Sequence, residues 1–228
     1  MTIDLVKYLK DRYEERNVAS PDPGPVITIS RETGCPARKV AQLLSDVLNQ
    51  RYQKENKKVW KWVGKEVFDG AAKELDLDLG EVQKVFKEKR NFVDQILSSQ
   101  SQRFYKNDRR VRKTIGQVIR SMANDGNVII LGRGGVAITR DIPRSLHIFL
   151  EAPLEWRASI ISEKQCCTLQ EAIKYVKETD KRRAQYREYY EGKNTDYTWF
   201  DARFNCMTLK IEDVVDAIIK LMEVKKLI

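Results

Sequence analysis

A short polar loop between a predicted strand and a predicted helix holds residue types suited to binding an anion. The β-branched run Val26–Ser30 precedes the loop Arg31–Lys39, which contains a glycine, a proline and three cations. An amphipathic helical pattern follows, with apolar residues at positions 40, 43, 44, 47 and 48. A strand, a tight loop and a helix N-terminus together present unpaired N–H groups and a positive dipole end to phosphate. The alternative is an ordinary strand-to-helix connection in which Pro36 begins the helix.

A second loop of similar character follows the continuous apolar run Val128–Leu131. Its sequence is Gly132-Arg133-Gly134-Gly135. The glycines free the backbone, and one arginine at the strand end can bind phosphate through its planar fork of donors. A solvent-facing arginine in a flexible turn is the alternative interpretation. A third group of cations, at positions 181–183 and 187, would from composition alone be a solvated helix face.

The other residues that could carry chemistry favour packing over catalysis. His147, the only histidine, lies inside an apolar strand and is predicted to be a core residue, as are Trp60 and Trp62. Cys35 lies in the first loop, where a reactive thiol and a small loop residue are both compatible with its position. A single buried histidine does not provide a Ser/His/Asp or Cys/His triad, so hydrolytic nucleophile chemistry is disfavoured.

Composition limits the class of protein and its partners. The 228 residues can bury one full core with a small helical insert, and a hydrophobic fraction of 42% is typical of a globular chain. No apolar run approaches a membrane span, no secretory segment is evident, and the four cysteines lack metal-type spacing. We therefore expect a reduced, cytoplasmic protein. The net charge of +9 suits nucleotides, nucleic acid or acidic lipid, but no zinc-finger spacing or RNA-recognition aromatic motif accompanies it.

Hydrophobic periodicity predicts strands that alternate with helices. Strands are expected at 26–30, 59–63, 128–131, 146–150 and 204–207. Helices are expected at 3–17, 65–75, 80–100, 110–125, 153–163 and 168–191, with others after the first strand and at 211–222. Short unbroken strands between helices indicate a parallel sheet covered on both faces, whose ligands lie beyond the carboxyl ends of the strands. Both special loops fall at such ends, which is consistent with a single site.

Four motifs, in order along the chain, carry a family resemblance. They are ITISRE-x-G-x-x-x-R-x-VA from Ile27, VIILGRG from Val128, IFLEAPLE-x-R from Ile148 and TDK-x-R-x-x-Y from Thr179. Together they closely resemble the cytidylate kinase-like family of P-loop proteins, over nearly the whole chain beyond the N-terminal helix. The resemblance implies an α/β, three-layer nucleoside-monophosphate-kinase fold with a five-stranded parallel sheet of order 2-3-1-4-5.

The resemblance also implies how the chain is organised and what it binds. Residues 1–24 would form an N-terminal helix and linker, and residues 25–228 the P-loop kinase-like domain. Within that domain it implies a helical monophosphate-binding insert at about 64–110 and an arginine-rich lid at about 164–196. It implies ATP and Mg²⁺ as cofactors and nucleotides, including a CMP-like acceptor, as partners. It disfavours nucleic acid and membrane as partners.

Individual roles follow from the positions of the residues in the loops and the lid. Phosphoryl transfer requires cations around the migrating group, and we expect them to be the catalytic residues Arg38 and Lys39 at the first loop, Arg133 at the end of the third strand, and Arg182 and Arg183 on the lid. The resemblance implies that phosphate and nucleotide are bound by Ser30, Arg31, Glu32, Thr33, Gly34, Cys35, Ala37, Gly132, Gly134, Asp180 and Tyr186. In the family context, a functional lid is favoured over a solvated face for the cations of 181–187.

The first loop departs from the Walker A pattern G-x-x-x-x-G-K-[ST]. In register with that pattern, the two outer glycines, the lysine and the hydroxyl are replaced, in that order, by Arg31, Pro36, Ala37 and Arg38. Only Gly34 remains within the loop, and Pro36 removes an N–H that could have bound phosphate. Loss of the lysine is a family trait. Without the hydroxyl the protein ligands of magnesium are unassigned, and Glu32 is the candidate substitute.

The sequence predicts ATP-dependent phosphoryl transfer to a nucleoside monophosphate, with CMP or dCMP as the first choice, by a cytidylate kinase-like phosphotransferase. A monophosphate acceptor is already an oxyanion, so positioning and cations rather than a strong base supply the catalysis. The missing lysine and hydroxyl motivate an alternative, a catalytically weak or inactive nucleotide-binding protein that acts as a sensor or interaction module. A basic nucleic-acid binder is the third interpretation.

Overall fold

The computed structural model describes residues 23–52, 59–64, 101–191 and 197–228. The predicted helices at 3–17, 65–75 and 80–100 lie outside these residues, as does most of the predicted insert at 64–110. The chain divides into two compact units. The described part of the first is residues 23–52, 59–64, 123–191 and 197–228, and that of the second is residues 101–122.

Strands and helices alternate along the described residues, as the periodicity predicts. The strands are β1 Val26–Arg31, β2 Lys61–Val63, β3 Val128–Leu131, β4 Ser145–Glu151 and β5 Ala202–Asn205. The helices are α1 Ala37–Tyr52, α2 Ser101–Asp125, α3 Gly135–Thr139, α4 Leu154–Gln165, α5 Leu169–Glu191 and α6 Ile211–Val224, with a 3-10 turn at Tyr197–Trp199. Within these ranges no helix is both long and apolar enough to cross a membrane.

The strands form one parallel sheet in the order β2-β3-β1-β4-β5. This finding confirms the three-layer α/β architecture and the strand order that the resemblance implies. β1 is central, since Ile29 pairs with Leu131 of β3 and with Ile148 of β4. All residues of β1 before Arg31 are buried, as expected for a parallel strand covered on both faces. The carboxyl ends of β1 and β3 therefore lie side by side.

The main core lies between one face of the sheet and helices α1 and α6. It includes Ile27, Ile29, Leu44, Leu48, Leu146, Ile148, Ile218 and Met222. Each such side chain contributes about 1.5–3 kcal/mol when fully buried, so this layer fixes the sheet that carries the loops. A smaller cluster of Val136, Phe149 and Phe200 covers the other face near α3.

The chain segments that lead into β1 and β3 cross at two glycines. Gly24 donates its N–H to the Asn124 carbonyl at 3.2 Å, and a Cβ on Gly24 would lie only 2.5 Å from the Cα of Gly126. Gly126 also has a φ of 73°, in the left-handed region that glycine adopts freely. A side chain at either position would collide with backbone. The starting points of β1 and β3 are therefore fixed relative to each other.

His147 is a core residue, as predicted, with 5% of its surface exposed. Its Nδ1 lies 2.8 Å from the Thr28 hydroxyl, and its backbone N–H donates to the Asp201 carboxylate at 2.7 Å. Burial lowers the pKa of His147 from 6.5 to about 4. The imidazole is therefore neutral at neutral pH and serves the sheet rather than catalysis. Trp60 and Trp62 are also buried, as predicted.

Candidate functional site

The candidate site lies where β1 and β3 end. The two strands pair up to Ile29 and Leu131, and the Gly132 N–H then donates to the Ile29 carbonyl at 3.0 Å. The β1 loop (residues 32–36) and the β3 loop (residues 132–134) are thereby held next to each other. Ligands of open parallel sheets bind at such strand ends. Both loops selected from the sequence thus border one region of the first unit.

Arginines from three separate elements converge beside the β3 loop: Arg31 at the end of β1, Arg133 in the β3 loop and Arg183 on α5. The Arg31 guanidinium lies against Gly132 so closely that a Cβ there would collide with it. Arg183 donates from Nη1 to the Arg31 carbonyl at 3.2 Å. Burial, and then the charges of Arg183 and Arg133, lower the pKa of Arg31 from 12.5 to about 9. We call these three residues the arginine cluster.

Within the arginine cluster, the charged groups nearest Arg31 are cations. The charged groups that act on Arg31 are both cations, and no carboxylate among the described residues forms an ion pair with its guanidinium. The Asp180 carboxylate lies 3.8 Å from Arg183 but is shared with other donors. Like charges gathered away from water are costly unless an anion joins them. The cluster therefore suits a multiply charged anion such as phosphate, which guanidinium groups bind through paired hydrogen bonds.

The β3 loop holds Arg133 in a left-handed conformation. The φ angles are 68° at Gly132, 60° at Arg133 and 69° at Gly134. Glycine adopts this region freely, whereas for an arginine it costs about 1 kcal/mol or more. A Cβ on Gly134 would lie 2.6 Å from the ring of Tyr190 on α5, whose hydroxyl is 3.3 Å from that of Tyr186. The two glycines shape the loop, and the strained backbone between them directs the arginine.

A buried arginine on α4, Arg157, ties the β1 loop to helix α5. Its Nε donates to the Ala152 carbonyl at 2.7 Å and lies 3.1 Å from the Glu32 carboxylate. Its Nη1 donates to the Thr33 carbonyl at 3.1 Å and to the Asp180 carboxylate at 2.6 Å. Thr33 donates its N–H at 2.8 Å and its hydroxyl at 2.7 Å to the same carboxylate. We call these five residues the Arg157 clasp.

The clasp puts a carboxylate where the sequence predicts phosphate. Asp180 accepts both donors of Thr33, and other amides of the β1 loop are also engaged. The Glu32 N–H donates to the Leu150 carbonyl at 2.9 Å, and the Cys35 N–H donates to the Glu32 carbonyl at 3.3 Å. Amides bonded within the chain do not form the open cradle of a phosphate loop. In this arrangement the guanidinium groups, rather than these amides, are suited to bind an anion.

The remaining predicted residues of the first loop have packing roles. Gly34 has a φ of 101°, and a Cβ there would lie 2.9 Å from the Arg157 carbonyl oxygen. The glycine that remains in the loop thus allows close contact with α4. Ser30 and Ala37 are buried at the end of β1 and the start of α1. These three small residues hold the loop down on the sheet and helix.

Two of the other predicted cations, Arg38 and Arg182, have contacts of their own. Arg38 and Lys39 are exposed in the first turn of α1, and the Arg38 guanidinium lies 5.2 Å from the centre of the Trp62 ring on β2. Arg182 donates to the Thr179 hydroxyl at 3.0 Å, one turn back on α5. The structure thus brings Arg133 and Arg183 together at Arg31, while Arg38 is engaged at β2.

The two carboxylates beside the β1 loop, those of Glu32 and Asp180, are already engaged within the chain. Among residues 23–52, 59–64, 101–191 and 197–228, no group of three or more His, Cys, Asp or Glu side chains could hold one. Glu32, the predicted substitute ligand, instead accepts the Ala152 N–H at 3.1 Å and pairs with Arg157. Asp180 is held in the same clasp. A magnesium ion, as kinase-like families use, does not fit these carboxylates and would depend on phosphate oxygens and water.

Two residues at this end of the sheet are absent from the predicted site. Arg157 is the last residue of the third motif, which is largely apolar, and this position is the signal by which the sequence could have identified it. Cys206, whose thiol meets that of Cys35, has no sequence signal, because the two are far apart along the chain. Both act on the β1 loop from neighbouring elements.

Fold and site together define a class of protein, a three-layer parallel α/β domain with a cluster of arginines at its strand ends. The model of the cytidylate kinase-like family matches residues 26–206, so the chain belongs to the cytidylate kinase-like family. No curated protein matches the chain.

Solved structures share the fold. An uncharacterized protein from Eubacterium ventriosum ATCC 27560 superposes with a TM-score of 0.60 at 21% identity, over 88% of this chain and 98% of the other. Shikimate kinase from Bacteroides thetaiotaomicron superposes with a TM-score of 0.52 at 13% identity, over 87% and 98% of the two chains. At such identities the likeness shows the fold alone, which is that of P-loop kinases.

Proposed function

We propose that this protein is a nucleotide-dependent phosphotransferase that moves the γ-phosphoryl group of ATP to a nucleoside monophosphate, with CMP or dCMP as the acceptor. Membership of the cytidylate kinase-like family supports the reaction class. The arginine cluster carries the proposal, because Arg31, Arg133 and Arg183 bring like charges together at the ends of the strands. A site built this way gains most from a ligand with several phosphate oxygens.

The proposed reaction asks for little covalent chemistry from the protein. An oxygen of the acceptor's phosphate attacks the γ-phosphorus of ATP, the bond to the bridging oxygen breaks, and ADP leaves. The attacking oxygen is already ionised near neutral pH, so no general base is needed. The main obstacle is the repulsion between two polyanions. Guanidinium groups fixed away from water offset that repulsion without reorganising during the reaction.

A second function, nucleotide binding without phosphoryl transfer, is favoured by the β1 loop. Asp180 occupies the N–H and hydroxyl of Thr33, and Ala37 stands at the Walker lysine position. If the loop keeps this arrangement, the nucleotide is bound by the arginine cluster without the Thr33 N–H and without a Walker lysine. Such a protein would act as a sensor or an interaction module, with the nucleotide as its signal.

Coupled ADP release with CMP, dCMP, UMP, AMP and GMP, together with calorimetry of ATP and CMP binding, tests the proposal. We expect ADP release that depends on CMP or dCMP. Arg31→Met and Arg133→Met should each lower kcat/KM by about 100-fold, because each removes one charge from the transition state. Arg51→Met is the matched control and should keep wild-type kinetics, since Arg51 is exposed and lies 3.5 Å from Glu223 on the surface.

Each outcome has a distinct meaning. Saturable binding without turnover for every acceptor selects the second function. A folded wild-type protein with neither binding nor turnover contradicts both functions. Turnover that survives Arg31→Met unchanged would separate the activity from the arginine cluster and remove the main support for the proposed mechanism.

A further inference from the structure

Two cysteines from distant parts of the sequence meet beside the β1 loop. Cys35 belongs to the loop and is half-buried, and Cys206, which follows β5, is 8% exposed. The end of β4 anchors both backbones. The Cys206 N–H donates to the Glu151 carbonyl at 2.8 Å. Glu32, whose carbonyl accepts the Cys35 N–H, donates its own N–H to the Leu150 carbonyl at 2.9 Å.

The side chains of the two cysteines belong to the same hydrophobic cluster as well. Cys35 packs against the main core, of which Cys206 is a member. The interaction between the two thiols raises the pKa of Cys35 and lowers the pKa of Cys206. Cys206 is therefore the thiol that ionises more readily, and its partner is the nearest group that could react with an oxidised sulfur.

We propose that Cys35 and Cys206 form a reversible disulfide on exposure to peroxide, which makes the pair an oxidative modification site next to the arginine cluster. The Cys206 thiolate attacks a peroxide oxygen and gives a sulfenic acid and hydroxide. The Cys35 sulfur then attacks the sulfenyl sulfur, the S–S bond forms, and the departing hydroxide takes the Cys35 proton as water. Overall both thiols are oxidised and one hydrogen peroxide is reduced to two water molecules. A dithiol reverses the reaction.

The bond would act on the β1 loop. Cys35 follows Gly34, which packs on the backbone of Arg157, and the same loop continues the strand that ends at Arg31. A covalent tie between the loop and the end of β5 restrains this segment directly. The inference concerns thiol chemistry alone and stands whether or not the protein transfers phosphoryl groups.

Thiol mapping of the full chain tests the proposal. Cys166→Ser/Cys167→Ser protein, which lacks the two other cysteines, is treated with hydrogen peroxide, denatured in the presence of iodoacetamide, digested and analysed by mass spectrometry. We expect a peptide pair joined through Cys35 and Cys206, absent before treatment and lost after dithiothreitol. In Cys35→Ser protein, dimedone should trap a sulfenic acid at Cys206 several-fold more than in the protein that retains Cys35, because nothing resolves it.

Exposed Cys166 in the wild-type chain shows that the oxidant is active, since its thiol is open to solvent. Full alkylation of Cys35 and Cys206 after a treatment that oxidises Cys166 would overturn the proposal. An equal yield of the dimedone adduct at Cys206 with and without Cys35 would also overturn it. Mapping of the wild-type chain distinguishes these outcomes even where the Cys35→Ser chain fails to fold.

Discussion

Arg157, which is buried, and Arg31, which is half-buried, lie on either side of the β1 loop, and their surroundings are opposite. Arg157 is paired with the carboxylates of Glu32 and Asp180, whereas Arg31 faces two further cations. A buried charge is tolerated when it is paired, and unpaired it stores unfavourable energy that a ligand can relieve. The Arg157 clasp therefore holds the fold together, and the arginine cluster leaves stability to be gained from an anion.

Removal of Arg157 should have the largest effect. Arg157→Met strips the partner from two carboxylates and should lower the free energy of unfolding by about 4 kcal/mol. Urea unfolding at neutral pH measures the change. Arg51→Met should stay within about 0.5 kcal/mol of wild type. A loss of under about 1 kcal/mol for Arg157→Met would mean that the clasp does not hold the β1 loop.

Replacing one glycine in each loop with alanine should have the next largest effect on stability, and the loss should differ between the two loops. Gly34→Ala puts a methyl group against the Arg157 backbone, which cannot turn aside, at a φ of 101°, and should cost about 3 kcal/mol. Gly134→Ala meets the ring of Tyr190, a side chain that can move, and should cost about half as much. Chemical denaturation of both variants gives the comparison. Equal losses would show that the clasp is no more rigid than the β3 loop.

His147, another buried basic group, should make the free energy of unfolding depend on pH. Its pKa is about 4 in the folded chain and about 6.5 when unfolded, so the unfolded chain binds the extra proton as pH falls between these values. Stability should be full above about pH 6.5 and should drop by about 2 kcal/mol between pH 7 and pH 5. His147→Gln, measured by urea unfolding at both values, should flatten this slope. An unchanged slope would assign the term to other groups.

Arg31→Met should have the smallest effect and the opposite sign to Arg157→Met. Loss of one cation relieves repulsion with Arg133 and Arg183, so the free energy of unfolding should rise by about 1 kcal/mol in dilute buffer. Sulfate should raise the wild-type melting temperature through specific binding, and this gain should vanish in the variant. Thermal scans with and without sulfate, at constant ionic strength, report both effects. Destabilisation by Arg31→Met would indicate that Arg31 is paired like Arg157.

The central strands could be predicted closely because they are covered on both faces. β3 has its predicted bounds, and β4 extends one residue beyond its prediction at each end. The sequence predicts β5 at 204–207, whereas the strand lies at Ala202–Asn205. It is an edge strand whose residues are only half-buried or exposed, so no apolar run marks it. β5 lacks the burial on both faces that makes β3 easy to predict from the sequence.

The site was predictable only where a motif sits at a strand end. Gly132 and Gly134, which follow β3, flank Arg133 and mark it in the sequence. The clasp is different, because Asp180 lies 23 residues from Arg157 and 147 from Thr33. Such contacts depend on how α4 and α5 pack, which periodicity does not encode. For the same reason the exposed Arg38 and the half-buried Arg31 look alike in sequence.

The crossing of Gly24 and Gly126 has a consequence at the far end of the sheet. Because β1 and β3 start next to each other, the number of residues in each strand determines how far along the strand direction Arg31 and Arg133 lie. One inserted residue in either strand would offset the two guanidinium groups by about 3.3 Å, the rise of a single step. Gly24 and Gly126 thus determine the relative position of two guanidinium groups with which they make no contact.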